Sequence, residues 1–194
     1  MNSFQNSNEF QNELFSKLNL ENEKITNKLF FDCEFHNCNF SYTDFESTLF
    51  EGCSFFNCNF SLSKIVRTQI RGVVFINCKI IGVDFQKCDT LMIDFNLEEC
   101  NIKSCIFSGL CLKKHSFYKS DLIECDFVNT DLSETNLSES DLSGSLFAKT
   151  NLFKANLQNC INYNIDPLNN NIKKAKFSLP EALTLLDAFE IKIQ

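Results

Sequence analysis

The chain has 194 residues, one domain's worth, and 44% of them are hydrophobic, enough for a sizeable core. No apolar run reaches the roughly 18 residues of a membrane span, and the polar, Asn-rich first twenty residues lack the basic start and apolar stretch of a secretion signal. A net charge of −7 disfavours direct contact with nucleic acid, and 11 Cys without loop-rich spacing read as reduced thiols in a cytoplasmic protein, not as a disulfide framework.

Residues 1–24 form the first segment. Phe10, Leu14 and Leu18 stand four apart, which predicts either a short amphipathic helix that lids the N-terminal end of the domain or a frayed tail. From residue 25 to residue 160 a period of five replaces any helical or strand period. Phe35, Phe40, Phe45, Phe50, Phe55, Phe60, Ile65, Ile70, Phe75, Ile80 and Phe85 are all Phe or Ile, and the residue two before each is small or β-branched. Five fits neither 3.6 nor 2. It fits a chain that turns a corner every five residues, with one large and one small side chain per side pointing inward. Four such sides make a coil of 20 residues, so Phe35, Phe55 and Phe75 should stack in one column and Phe40, Phe60 and Ile80 in another. At the ~4.8 Å spacing of neighbouring strands, some 24 units give about six coils and a shaft of roughly 30 Å.

Glycine and proline test this geometry independently. Gly52, Gly72, Gly82, Gly109 and Gly144 all fall two residues after a large residue, as do Asn37, Asn57, Asn77, Asn129 and Asn159. That is the corner slot where a turn needs φ > 0. Pro167 and Pro180 lie beyond the last unit, where no ladder donor is lost. The register slips by two over residues 86–101, which predicts a local bulge. The pattern then resumes through Ile102, Phe107, Leu112, Phe117, Leu122, Phe127 and on to Leu157, with Leu110 and His115 as exceptions in the small slot.

Residues 161–194 leave the pattern. Residues 163–177 read as a hairpin or irregular extension. Ser178-Leu179-Pro180-Glu181 reads as a helix start with a capping box. Leu183, Leu186 and Phe189 then share one face, and Ile191 and Ile193 continue as a strand. A solenoid needs such a closure at its ends.

Units such as Ser140-Asp141-Leu142-Ser143-Gly144 and Thr130-Asp131-Leu132-Ser133-Glu134 resemble the consensus of the pentapeptide-repeat proteins. The resemblance implies an all-β, right-handed quadrilateral β-helix (a solenoid) with a short C-terminal helical cap. It also implies that the tail closes the coil and joins two molecules, which makes Leu183, Leu186, Phe189, Ile191 and Ile193 the candidate dimer contacts.

No catalytic constellation, cofactor site or metal site stands out. Ten Cys occupy the small inward slot, where a straight column does not converge on a metal, while Cys111 falls at an outward slot. His36 should be exposed and His115 buried. Residues 120–148 hold Asp121, Glu124, Asp126, Asp131, Glu134, Glu139 and Asp141 and no Lys or Arg, an acidic belt around the shaft. The expected function is a non-enzymatic scaffold that binds a protein partner. The alternative implied by the family is a DNA mimic that modulates DNA gyrase or topoisomerase IV and protects against quinolones.

Overall fold

In a computed structural model that describes residue 4 and residues 7–191, the chain is a parallel β-solenoid of about eight turns. Strands recur on each side at intervals of 20 residues. Side I carries Glu9–Gln11, Leu29–Phe31, Leu49–Glu51 and Gln69–Arg71. Side II carries Leu14–Ser16, Glu34–His36, Ser54–Phe56, Val73–Ile76 and Phe95–Glu98. Side III carries Lys79–Ile81, Asn101–Lys103 and Asp121–Ile123, and side IV is held by single bridges such as Lys24 to Asp44 and Asp44 to Lys64. All pairing is parallel, because each coil advances one strand spacing along the shaft.

The interior is the stack that the five-residue spacing predicts. Phe35, Phe55 and Phe75 are buried and stacked nearly parallel, with centroids 4.7 and 5.1 Å apart, and Phe40 lies 5.0 Å from Phe60. Rings of adjacent sides meet edge to face, as Phe55 does with Phe60 at 5.0 Å, so both favoured aromatic geometries are used.

The small slot has a second task. Its hydroxyl or thiol donates to the carbonyl of the large residue 23 positions earlier: Thr130 to Phe107 at 3.0 Å, Ser140 to Phe117 at 2.7 Å, Cys58 to Phe35 at 3.4 Å. These bonds replace ladder bonds that the corners interrupt, which is why Thr, Ser and Cys fill positions where an apolar residue of similar size also fits. All five glycines, each at a corner, have positive φ, and so do 26 other described residues, the corner residues Asn37, Asn57 and Asn77 among them. None of these 26 is Val, Ile or Thr, whose branching at Cβ makes that conformation costliest.

Several expectations need correction. The segment over residues 8–18 is not a helix but the first coil: Glu9–Gln11 pairs with Leu29–Phe31, and Leu14–Ser16 pairs with Glu34–His36. Phe10, Phe15, Leu20 and Ile25 continue the period of five, and Phe4 plugs the end against Phe10, Phe15 and Phe30. The coil also runs past residue 160. Asn171 bridges to Asn151, and Lys176–Phe177 pairs with Asn156–Leu157. Two more turns than the six expected lengthen the shaft to about 38 Å.

The capping box does not form. The Ser178 hydroxyl accepts from the Asn159 N–H, and a 3₁₀ helix over Glu181–Phe189 starts from Pro180 without a side-chain cap. Ile191 lies outside any strand, and Ile193 lies outside the described residues. No helix among the described residues is long and apolar enough to cross a membrane.

The break is a projection. The Arg67 N–H still donates to the carbonyl of Lys87, 20 residues on, but Phe75 aligns with Leu97 and Asp84 with Ile106. The two extra residues therefore fall on side I, as two 3₁₀ turns over Phe85–Lys87 and Thr90–Met92. Asp89 accepts from the Leu91 N–H and turns the chain outward. The interior left by this excursion is filled by bulky residues in small slots: Phe95, Leu110 and His115, all buried, with the Phe95 and His115 rings 5.1 Å apart. The two exceptions noted in the sequence are thus the filling of one gap.

Candidate interaction surfaces

The ionisable groups with perturbed pKa values sit mostly inside the coil. Ten of the eleven thiols are buried and Cys111 is exposed. Burial pushes Cys53, Cys88 and Cys125 up to about 12. In the column Cys38, Cys58, Cys78 and Cys100, each sulfur from Cys58 upward accepts from the N–H one rung below, at 3.3–3.4 Å. His115 is held neutral by burial, and its Nδ1 lies 3.2 Å from the Lys113 carbonyl. His36 is half-buried, not fully exposed, because it stacks on Phe56 at 4.6 Å and pairs with Glu34 at 3.0 Å. Among the described residues, no group of three or more His, Cys, Asp or Glu is placed to hold a metal ion.

The seven acids of residues 120–148 encircle the shaft, and most have local partners. Asp126 and Asp131 accept from the N–H groups of Val128 and Ser133, two residues on. Asp141 accepts from Ser143 and Asn162. Burial alone would raise its pKa, but those bonds outweigh it and hold the carboxyl below its usual range. Glu124 pairs with Lys103 at 3.7 Å and Glu134 with Lys113 at 3.3 Å, both lysines belonging to the coil below. Glu139 accepts from the Tyr118 hydroxyl at 3.3 Å. Asp121 is exposed. The belt is therefore less negative in space than along the chain, because a lysine 21 residues earlier is a neighbour.

At the C-terminal end the 3₁₀ helix turns once every three residues, so Leu183, Leu186 and Phe189 do share a face. That face is only partly open: Leu183 and Phe189 are 43% and 51% exposed and Ile191 is 55% exposed, while Leu186 between them is half-buried. Leu185, on another face, packs on the core. Leu168 and Leu179 add further exposed apolar surface at this end.

Sequence reasoning missed an exposed apolar pair on the shaft. Leu91 is 89% exposed and Met92 63%. They stand on side I beside a groove of about 490 Å³ with Gly52 and Gly72 in its floor and Phe31, Asp32, Glu51, Arg71 and Met92 around it. Their signal in the sequence is an apolar pair inside the break, outside any inward register.

The sequence matches a model of the pentapeptide repeat region over residues 28–102 and one of eight pentapeptide repeats over residues 116–148 and 130–161. No curated protein sequence matches significantly. Among solved structures, the fold is similar to a trypsin-treated form of QnrB1, a plasmid-mediated fluoroquinolone resistance protein. The TM-score is 0.72 at 20% identity, over 96% of this chain and 97% of that one. HetL, a pentapeptide repeat protein involved in heterocyst differentiation regulation in Nostoc sp. strain PCC 7120, gives 0.52 at 15% identity, over 87% of this chain and 86% of that one. At such identities the likeness is one of fold. Together, the five-residue corners, the inward columns of large and small residues and the two family matches make this chain a member of the pentapeptide-repeat family.

Proposed function

We propose that the chain is a non-enzymatic cytoplasmic scaffold that binds other proteins through its flat sides and its C-terminal end. The observation that carries this reading is where the chemistry lies. The groups with perturbed pKa values are mainly core thiols, His115 and Tyr163, buried within the coil, while the outward surface offers flat hydrogen-bonded ladders and exposed apolar side chains, among them Leu91 and Met92 on side I and Leu183 and Phe189 at the C-terminal end. Free, inward-facing thiols suit a reducing compartment. To test it, the intact protein and a Leu183→Asp/Phe189→Asp variant are used as bait in native cytosol. A partner retained by the first and lost by the second supports the reading, and failure to retain any protein at micromolar bait counts against it.

The second reading is modulation of DNA gyrase or topoisomerase IV by DNA mimicry, favoured by the likeness to QnrB1. The acids that would carry the mimicry are Asp121, Glu124, Asp126, Asp131, Glu134, Glu139 and Asp141. Local pairing of Glu124 and Glu134 with lysines weakens that case. A supercoiling assay with and without quinolone decides it: neither inhibition nor protection at micromolar protein removes this reading and leaves the scaffold.

A further inference from the structure

The projection on side I rests on a chain of three rings. Phe85 opens its first 3₁₀ turn, and the Phe85, Phe95 and His115 rings follow one another beneath it, with centroids 5.2 and 5.1 Å apart. All three side chains are buried, His115 at 7% exposure. Thr130, Thr135 and Ser140, which fill the small slot in nearby units, each donate to the carbonyl of the large residue 23 positions earlier. For His115 the same count reaches Met92, in the second 3₁₀ turn of the projection, so the break has carried that carbonyl away. The imidazole keeps one bond, from Nδ1 to the Lys113 carbonyl at 3.2 Å, and its Nε2 is buried with no hydrogen-bond partner among the described residues.

A bare ring nitrogen among aromatic rings is tolerated, whereas a buried N–H carrying positive charge without an acceptor is not. The charged groups around the ring do not supply one in place. Asp94, on the rung below, is exposed at the corner, next to Lys114 of the histidine's own coil. Glu134, on the rung above, pairs with Lys113 at 3.3 Å. On the projection, Lys87 pairs with Asp84 at 3.9 Å, and Asp89 accepts from the Leu91 N–H. Burial holds the imidazole below its ordinary 6.5, against the opposing pull of the Lys113 carbonyl and the Asp94 carboxylate. To meet Asp94 and water the protonated ring has to leave its slot, and the filling beneath the projection goes with it.

We propose that His115 is an acid-operated latch: its neutral ring holds residues 86–94 against the shaft, and its protonation releases them, Leu91 and Met92 included. The release is local, because the Phe85 N–H to Ile106 and Leu97 N–H to Ser116 ladder bonds hold the chain on either side. The sign follows from the burial of the ring. The closed form is complete above pH 6.5 and is lost as pH falls below it, the opening constant gaining at most about tenfold per pH unit.

Amide hydrogen exchange of the full chain tests it, at about pH 7.5 and about pH 5, as protection factors corrected for intrinsic exchange. The Asp89 and Asp94 N–H groups, which dock the projection on the Thr68 and Ile70 carbonyls, report on the latch. The Asn39 and Asn151 N–H groups, bonded to the Leu18 and Thr130 carbonyls, serve as controls elsewhere on the shaft. In the wild type, protection at Asp89 and Asp94 is expected to fall roughly tenfold at the lower pH while the controls hold. His115→Leu and His115→Gln, which cannot take up the proton, are expected to remove that fall. The proposal is overturned if wild-type protection at Asp89 and Asp94 stays level, or if the controls fall with it, since the whole shaft would then be loosening. It is equally overturned if either variant keeps the fall. None of these results touches the scaffold reading, which rests on the outer surface.

Discussion

Phe55 is the position at which the stacked interior is tested most sharply. It is 1% exposed, lies almost parallel to Phe35 at 4.7 Å and Phe75 at 5.1 Å, and meets Phe50 and Phe60 edge to face at 5.4 and 5.0 Å. Phe55→Ala removes a fully buried ring and leaves a cavity that neighbouring rungs, pinned by ladder bonds, cannot close. The expected loss is about 4 kcal/mol. Phe55→Leu keeps most of the volume and loses the ring geometry of two stacked pairs, each about 0.5–1.5 kcal/mol beyond area, so about 1–2 kcal/mol is expected. Phe177→Ala is the control at the shaft end. That ring is half-buried and has one ring neighbour, Tyr163 at 5.7 Å, so roughly 1–2 kcal/mol is expected there. Urea unfolding followed by circular dichroism reads all three as midpoint shifts at constant slope. If Phe55→Ala costs no more than Phe177→Ala, or Phe55→Leu as much as Phe55→Ala, the column is not packed as described.

Four further outcomes are expected. Under native conditions a thiol reagent should modify one cysteine rapidly, Cys111, and all eleven only in denaturant; a second fast thiol would contradict the inward register. Cys53, Cys88 and Cys125 lie at about 12 when folded against 9.0 for the free thiol. The unfolded chain therefore sheds these protons first, and stability is complete below about pH 9 and falls toward pH 12 by about 1.4 kcal/mol per thiol per pH unit; a flat alkaline profile of urea midpoints would refute this. His115, lowered from 6.5 by burial, acts in the opposite direction: its contribution is present above pH 6.5 and is lost as pH falls below it, and His115→Leu should flatten that acid limb. Finally, Gly72→Asn should stay within about 0.5 kcal/mol of wild type while Gly72→Val loses about 1–2 kcal/mol, because the corner needs φ near +58°; equal costs would mean the corner can relax.

How far the sequence could be read depended on how much interior each residue faced. Phe35 to Phe85 and Ile102 to Leu157 face a closed interior on every rung, so both their large and small slots are constrained and the period shows. At the first coil Phe10, Phe15, Leu20 and Ile25 keep the large slot, but Asn8, Glu13, Leu18 and Glu23 occupy the small one. The end rung is solvated and tolerates them, and the helical spacing of Phe10, Leu14 and Leu18 then competes. At the far end Asn162 and Pro167 interrupt the large slot, and Tyr163 and Ile165 turn inward in their place, so that turn of the coil was hidden.

The sequence alone determined the backbone repeat, the stacked columns, the inward thiols and the exposure of Cys111, because each follows from a single rule applied every five residues. The tertiary structure decided what depends on residues 20 or more apart becoming neighbours. Lys103 beside Glu124 and Lys113 beside Glu134 offset two of the seven negative charges of the acidic segment. Which side receives the two extra residues of the break places Leu91 and Met92 on side I, outside the inward register. Local spacing says nothing about either, since both arise from the rise of one coil on the next.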